Sequence, residues 1–208
     1  MFTGLIETMG TLLSWQTRGR VVRLGIRTPL ARDLAIGSSI AIDGVCQTVV
    51  HTAGDTFDVE ATGETLKRTT LASWRGPRAV NLERPLRADG RLDGHLVTGH
   101  VDGIVRLMDR RMESAGVWCV FSQCPDLRRY VAPQGSVALD GVSLTVATAS
   151  EGSFSVSLIP HTLGQSTLGA RRPGDYLNLE VDLVARYVER LIARASGLGS
   201  QEGMNEWF

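Results

Sequence analysis

Two stretches of this chain place a reactive side chain two residues before a threonine. Cys46 precedes Thr48, and Ser143 precedes Thr145, each directly after an Asp-Gly-Val segment. Because side chains alternate along a strand, each pair is expected on one face of its strand. A thiol in one copy and a hydroxyl in the other predict two related pockets with unequal roles. A cysteine alone is more often a small buried apolar residue, and a strand serine usually bonds a neighbour, so the pattern needs support from the rest of the chain.

The histidine spacing argues against a metal site. His95 and His100 lie five residues apart in a run that contains glycines, and on a strand this spacing puts them on opposite faces. No metal site is therefore expected, and the sequence carries no glycine-rich phosphate loop. His100 is a candidate catalytic residue, beside the alternative that it is structural or exposed.

The elements that position these residues occur in two copies of an internal sequence repeat. Ser39–Glu83 and Ser136–Glu180 align 97 positions apart without a gap, and 17 of the 45 pairs are identical. Phe2–Glu7 matches Val97–Asp102 at a spacing of 95. One fold unit therefore occurs twice, which predicts two domains of similar architecture.

Each copy reads as short strands separated by glycine turns. In the first copy the expected strands are Phe2–Glu7, Val21–Ile26, Ser39–Ile42, Cys46–Val50, Thr56–Val59 and Val80–Glu83, with a helical segment at Glu64–Thr69. In the second they are Val101–Met108, Val117–Ser122, Ser136–Leu139, Ser143–Ala147, Phe154–Ile159 and Tyr176–Glu180, with a short helix near Asp126–Val131. This pattern predicts a small closed β-barrel in each copy. The Asn-Leu-Glu segments that end at Glu83 and Glu180 are expected to close each barrel through side-chain hydrogen bonds.

After the second copy the hydrophobic period changes to that of a helix. One stripe contains Val184, Tyr187, Val188, Leu191 and Ile192. Asp182 is placed to cap the helix at its N-terminus. The helix has no counterpart in the first copy, so it is interpreted as an oligomerisation element, with packing against its own barrel as the alternative. The residues from Ala195 onward are rich in glycine and serine and are expected to fray.

Composition narrows the class of protein. The 208 residues are 43% hydrophobic, which excludes general disorder, and the 22 basic and 22 acidic residues give no net charge, which weighs against nucleic-acid binding. Three cysteines without a CxxC motif favour a reduced cytosol. The first residues lack the pattern of a signal peptide, and no apolar run approaches the roughly 18 residues of a membrane span.

Together the motifs resemble the riboflavin synthase α chain family. They are Met1–Glu7, the two Asp-Gly-Val copies, Gly94–Gly103, Leu158–Thr162 and Asn178–Asp182, in the family's order and spacing. The resemblance runs from Met1 to about Ile192. It implies an all-β fold of two tandem, pseudo-symmetric six-stranded Greek-key barrels plus a C-terminal α-helix. The expected divisions are an N-terminal barrel (1–88), a C-terminal barrel (89–182), a trimerisation helix (183–196) and a flexible tail (197–208).

The resemblance also implies a reaction. Two molecules of 6,7-dimethyl-8-ribityllumazine exchange a four-carbon unit and give riboflavin and 5-amino-6-ribitylaminouracil, with no cofactor or metal. Each barrel of the family holds one lumazine, and the active site forms between the N-terminal barrel of one subunit and the C-terminal barrel of another in a homotrimer. No nucleic acid or membrane partner is implied, and the sequence leaves open whether the chain associates with lumazine synthase.

Carried over by position, the resemblance assigns residues to two pockets. The first-barrel pocket is expected to use Gly4, Leu5, Ile6, Ser39, Cys46, Gln47, Thr48, Glu60, Ala61, Thr62, Gly63, Glu64 and Thr65. The second-barrel pocket is expected to use Gly99, His100, Val101, Ser143, Leu144, Thr145, Ser157, Leu158, Ile159, Pro160, His161, Thr162 and Asp182. His100 is expected to shuttle a proton, and Ser143 to act as hydrogen-bond partner or transient nucleophile. Cys46 would position or activate the other lumazine, and Thr145 is grouped with these catalytic residues.

Two residues depart from the family pattern. Gln47 stands where the family usually has leucine, and Gln134, also assigned to the substrate site, stands where it commonly has lysine. A substrate contact by that lysine would mean that this chain has lost a positive charge there.

Two other classes of protein are alternatives to a riboflavin synthase. A non-catalytic lumazine or flavin carrier would be expected to lose the paired-histidine stretch and the second Ser-x-Thr, and an oligonucleotide-binding barrel would need a basic, aromatic face.

Overall fold

The computed structural model describes residues 1–195, which fold into two closed six-stranded antiparallel barrels and a C-terminal helix. The expected tail 197–208 lies outside the described residues. The first barrel contains β1 (Thr8–Arg18), β2 (Val21–Arg27), β3 (Ser39–Ile42), β4 (Val45–Ala53), β5 (Thr56–Thr62) and β6 (Arg78–Glu83). The second contains β7 (Gly103–Glu113), β8 (Gly116–Ser122), β9 (Ser136–Leu139), β10 (Val142–Ala149), β11 (Ser153–Leu158) and β12 (Tyr176–Val181). The helices are α1 (Gly63–Arg68), α2 (Pro160–Gln165) and α3 (Leu183–Ala195).

The strand order confirms the predicted Greek-key architecture. The first barrel closes in the order β1-β2-β5-β4-β3-β6, and the second has the equivalent order β10-β11-β8-β7-β12-β9. Asp43 (φ 43°) and Gly44 (φ 76°) form the two-residue turn between β3 and β4. Positive φ at both positions matches the right-handed twist of the flanking strands, which explains why Asp-Gly marks this turn in both copies.

The prediction for the start of the chain was wrong. Phe2–Glu7 was expected to be a strand, but Phe2 makes a single bridge to Val97 and the residues up to Glu7 are irregular. Gly4 has φ 77°, a left-handed conformation that interrupts a strand. The first strand is β1, which the sequence did not reveal because much of its length is exposed and polar.

Burial along β4 and β10 follows the expected alternation. Val45, Gln47 and Val49 are buried toward the barrel interior, whereas Cys46 and Thr48 share the opposite face. In β10 the buried face includes Leu144, and Ser143 and Thr145 share the other face. The side chains of Gln47 and Leu144 therefore point into the barrels rather than into the predicted pockets. The Gln47 amide donates to the carbonyl of Cys46 at 2.9 Å, and its buried Oε1 has no protein partner.

The two Asp-Gly turns meet where the barrels pack together. A Cβ atom on Gly44 would lie 2.6 Å from the backbone nitrogen of Gly141, and a Cβ on Gly141 would lie 2.8 Å from that of Gly44. Such distances are well inside van der Waals contact, so both positions require glycine for close approach as well as for positive φ (80° at Gly141). The turns therefore fix the relative position of the barrels.

Asn81 and Asn178 cross this junction rather than closing their own barrels, which corrects the prediction for these two asparagines. Asn81 donates to the carbonyl of Asp140 at 2.9 Å and accepts the N–H of Thr167 at 2.7 Å. Asn178 makes the equivalent bonds to the opposite repeat, at 2.8 Å to the carbonyl of Asp43 and 2.8 Å from the N–H of Thr70. All four bonds join one repeat to the other.

Two buried aspartates share cations at the same junction. Asp43 and Asp140 have no exposed surface, and the guanidinium of Arg171 donates to Asp140 at 2.6 Å and lies 3.5 Å from Asp43. Arg78 pairs with Asp43 at 3.3 Å. Burial, reinforced by the charge of Asp140, raises the pKa of Asp43 to about 7. The junction is therefore a charged cluster enclosed by the two barrels.

Helix α3 packs against the second barrel through its polar side. Asp182 accepts the N–H of Val184 at 2.9 Å, which confirms its predicted capping role. Arg186 pairs with Asp102, and Glu189 accepts from Arg129 at 3.1 Å and from Tyr130 at 3.3 Å. The predicted apolar stripe remains exposed, with Tyr187 at 62% and Leu191 at 66% exposure. Within residues 1–195, the helices are too short or too polar to cross a membrane.

Candidate functional site

The two glycine segments before β1 and β7 reach the opposite barrel. The carbonyl of Gly4 accepts the N–H of Ser143 at 2.8 Å, and the carbonyl of Gly99 accepts the N–H of Cys46 at 2.9 Å. Val101 packs into the core of the first barrel, and Ile6 packs against the core of the second. The predicted pocket memberships are thus corrected, because Gly4–Ile6 joins Ser143 and Gly99–Val101 joins Cys46. Each pocket contains backbone from both repeats.

Glycine is required at both crossing points. Gly4 and Gly99 have φ values of 77° and 79°. A Cβ atom would lie 2.6 Å from the Cβ of Ser143 in the first case and 2.5 Å from the Cβ of Cys46 in the second. Positive φ and close approach together exclude a side chain here. The local sequence therefore places each crossing segment directly on the strand that carries the thiol or the hydroxyl.

The first-barrel site surrounds Cys46. Ser39 is paired with Thr48 in the β3–β4 ladder, which places it beside the thiol. The predicted run Glu60–Thr65 forms the end of β5 and the start of α1, where Thr62 accepts the N–H of Thr65 at 3.4 Å as a helix cap. Ala61 is buried in the core, so its side chain does not face this site. Burial raises the pKa of the Cys46 thiol, partly offset by a hydrogen bond from Ser39.

Glu60 and Glu64 border this run and already have cationic partners. Glu60 accepts from Arg23 at 2.7 Å on the neighbouring strand. Glu64 accepts from Arg68 at 2.7 Å across one turn of α1. Both acidic side chains of this run are therefore already paired with a cation.

The second-barrel site is a cavity of about 170 Å³. It is lined by Gly4, Leu5, Ile6, Val142, Ser143, His161, Thr162, Gln165 and Ser166. The predicted run Ser157–Thr162 forms the end of β11 and the start of α2, and Pro160 occupies the first turn of that helix. Leu158 is buried in the core, whereas Ile159 is 56% exposed. The sequence-based assignment lacks Val142, Gln165 at the end of α2, and Ser166 directly after that helix.

His95, not His100, is the histidine that contacts the predicted serine. Nδ1 of His95 lies 2.6 Å from Oγ of Ser143, and the backbone N–H of His95 donates to the carbonyl of Thr3 at 3.1 Å. His100 is exposed and lies in the segment that crosses to the first barrel. The structure therefore places His100 beside the first-barrel site and away from Ser143, and its expected role as proton shuttle stays a prediction. The sequence signal for this contact is the glycine before His95, because glycine often marks close backbone approach. In the structure a Cβ on Gly94 would lie 2.1 Å from the carbonyl oxygen of Thr3.

The surroundings of His95 suit a neutral imidazole. Burial lowers its pKa, although the charge of Asp182 acts in the opposite direction. Its Nε2 is buried and has no protein partner. When Nδ1–H of the neutral ring donates to the Ser143 hydroxyl, Nε2 is left as the nitrogen that can accept a proton.

Three predicted site residues lie outside the lining of the 170 Å³ cavity. Thr145 is exposed on β10 and Asp182 caps α3. Gln134 is exposed in a left-handed turn (φ 66°) that donates its N–H to Val146 at 2.7 Å. Gln134 does not line the described 170 Å³ cavity. Among residues 1–195, no group of three or more His, Cys, Asp or Glu side chains is arranged to hold a metal ion.

Both repeats match a known protein family, and the whole chain has similar relatives. The lumazine binding domain family matches residues 3–85 and again residues 98–182. Riboflavin synthase of Brucella abortus is 41% identical over 197 residues, covering 92% of this chain and 98% of that protein. Riboflavin synthase of Mycobacterium tuberculosis is 40% identical over 200 residues, covering 94% and 100%.

Solved structures support the fold. The crystal structure of LumP complexed with 6,7-dimethyl-8-(1'-D-ribityl) lumazine has a TM-score of 0.79 and 20% identity, over 87% of this chain and 99% of that one. The complex of LumP with riboflavin has a TM-score of 0.80 and 21% identity over the same shares. With two matched domains and near-complete relatives above 30% identity, this chain belongs to the riboflavin synthase family.

Proposed function

We propose that this chain converts two molecules of 6,7-dimethyl-8-ribityllumazine into riboflavin and 5-amino-6-ribitylaminouracil. The observation that carries the proposal is the pair of equivalent sites built around Cys46 and Ser143, in a family whose members make riboflavin. A reaction between two copies of one substrate needs two similar sites, and unequal side chains allow one copy to donate carbon and the other to accept it. Holding both copies removes much of the entropic cost of their encounter.

His95 and Ser143 are suited to the proton transfers of this reaction. The C7 methyl group of the lumazine is acidic because its anion delocalises into the ring system, and one copy must lose that proton. In our proposal the neutral His95 donates its Nδ1–H to Oγ of Ser143, at 2.6 Å, and accepts the lumazine proton at Nε2. Cys46 positions or activates the lumazine in the first barrel, with Thr48 on the same face.

The conversion itself tests the proposal. Purified protein is incubated with the lumazine, and riboflavin is followed by its absorbance and green fluorescence. We expect riboflavin without added metal or cofactor, at half the molar amount of lumazine consumed. Binding of the lumazine without conversion would contradict the proposed enzyme activity and indicate a lumazine carrier. Absence of binding would exclude both functions.

We further propose that α3 assembles a homotrimer in a reduced cytosol, with the complete active site between subunits. Its support is the stripe on α3, where Tyr187, Val188 and Leu191 are 62%, 47% and 66% exposed. An apolar stripe of this kind is costly in water and is normally covered by another surface. The cysteines Cys46, Cys119 and Cys124 are all free, as expected for a reducing compartment.

Replacing Val188 and Leu191 by aspartate is expected to convert the trimer to a single chain of 22.5 kDa in sedimentation. The barrels should keep their melting temperature, because α3 contacts the second barrel through Arg186 and Glu189 instead. Arg190→Ala on the exposed polar side is the matched control and should leave the trimer intact. A double variant that sediments as the wild type would show that the stripe does not drive assembly.

A further inference from the structure

A buried glutamate holds each crossing segment. In the first repeat, Oε1 of Glu83 accepts the N–H of Thr3 at 2.6 Å and its hydroxyl at 2.8 Å, and Oε2 accepts the N–H of Gly4 at 3.1 Å. Glu83 is only 4% exposed. Three donors from two adjacent residues therefore converge on one carboxylate, which fixes the backbone of the segment immediately before Leu5.

Glu180 makes the same three bonds in the second repeat. Its Oε1 accepts the N–H of Thr98 at 2.7 Å and the hydroxyl of that residue at 2.6 Å, and its Oε2 accepts the N–H of Gly99 at 2.9 Å. It is also 4% exposed. Burying a carboxylate is costly unless donors compensate it, and in each repeat the three donors of the crossing segment supply that compensation.

The bonds continue from each clamp into the opposite barrel. From Glu83 they run through Gly4, whose carbonyl accepts the N–H of Ser143, and through Thr3, whose carbonyl accepts the N–H of His95. From Glu180 they run through Gly99, whose carbonyl accepts the N–H of Cys46. The clamp on β6 therefore ends at the second-barrel site, and the clamp on β12 ends at the first-barrel site.

We propose that Glu83 and Glu180 are positioning residues that act crosswise, each setting the geometry of the site in the barrel that does not contain it. This inference deepens the proposed function, on which its catalytic meaning rests. A role limited to barrel closure would instead affect the site of the same barrel. The charge of Glu180 also contributes, after burial, to the raised pKa of Cys46.

Glutamine is the informative substitution because it keeps the shape, removes the charge and replaces one of the two acceptor oxygens by a donor. Its amide nitrogen cannot accept, so one of the two oxygen positions would face a backbone N–H or hydroxyl with another donor. Glu180→Gln should loosen Gly99 and uncover Cys46, and Glu83→Gln should loosen Gly4 and uncover His95. Glu151→Gln on an exposed loop, where the side chain is 93% exposed, is the neutralisation control.

The test labels the two sites chemically in the absence of lumazine, so that it stays independent of the proposed reaction. Cys46 is alkylated with iodoacetamide and His95 is carbethoxylated with diethyl pyrocarbonate, and mass spectrometry resolves each residue. Glu180→Gln should accelerate alkylation of Cys46 about tenfold, since thiolate access governs the rate, and should leave His95 unchanged. Glu83→Gln should give the reverse pattern. Cys124 serves as an internal reference in every sample.

Two milder variants test the proposal if either glutamine variant fails to fold. Thr98→Val and Thr3→Val each remove one of the three donors and should shift labelling of Cys46 and His95, respectively, in the same crossed pattern by a smaller factor. Labelling changes confined to the barrel that carries the substitution, or no change in any folded variant, would overturn the proposal. A crossed pattern in a protein that forms no riboflavin would leave the clamp standing and reject the proposed reaction.

Discussion

Gly44→Ala is expected to lower the free energy of unfolding by about 3 kcal/mol or more, through positive-φ strain and overpacking at the junction. The added Cβ would lie 2.6 Å from a backbone nitrogen of Gly141, and backbone cannot move aside as a flexible side chain can. For a chain of this size the loss corresponds to a fall of about 10 °C in melting temperature. Differential scanning calorimetry measures it.

Gly54→Ala is the matched control for that substitution. Gly54 also has positive φ, at 60°, but a Cβ there would have no atom within 4 Å. The control therefore carries the backbone strain alone, which costs about 1 kcal/mol. Equal losses in the two variants would mean that the contact between the Asp-Gly turns does not hold the barrels together.

His95→Gln is expected to lower kcat for riboflavin formation about a hundredfold, the range typical of a positioned general acid or base. Glutamine can still hydrogen-bond to Ser143 but cannot exchange a proton at neutral pH. His51→Gln is the matched control and should cost less than tenfold, because His51 is exposed on β4 and lies 3.7 Å from Asp58 rather than near Ser143. A larger loss of kcat in His100→Gln than in His95→Gln would assign the proton transfer to His100 instead.

The pH profile gives an independent check on His95. Burial lowers the pKa of its imidazole below 6.5, so the neutral form persists through neutral pH. Activity should therefore be level above the ordinary histidine pKa and fall only as the pH drops through the lowered value and the ring takes up a proton. The falling limb should disappear in His95→Gln. A limb that persists in that variant would assign the titration to another group.

Much of the fold could be predicted because its determinants are local. The Asp-Gly turns, the period-2 alternation and the repeat each report on neighbouring residues, and they define the barrels without tertiary information. The first strand was misplaced because Phe2–Glu7 has the composition of a strand while Gly4 has a left-handed conformation. Composition reports the average preference of a segment and cannot reveal the φ of one glycine.

The site could be predicted only in its parts. Cys46, Ser143 and the two glycine segments were identified, but the exchange of segments between barrels was not. In a duplicated sequence the same residues are present whether a segment joins its own repeat or the other, so periodicity carries no information on this choice. For the same reason the sequence does not distinguish His95, since its contact with Ser143 depends on the path of Thr3 from the opposite repeat.

The charged junction bears on how the two repeats came to differ. Arg171, which contacts both Asp43 and Asp140, occupies the position that Trp74 holds in the first repeat. Arg78 likewise corresponds to Asp175. In a dimer of identical repeats each position would carry the same residue twice, giving two arginines or two tryptophans across the axis. This asymmetric cluster requires two repeats of different sequence, so a homodimer of either repeat alone could not form it.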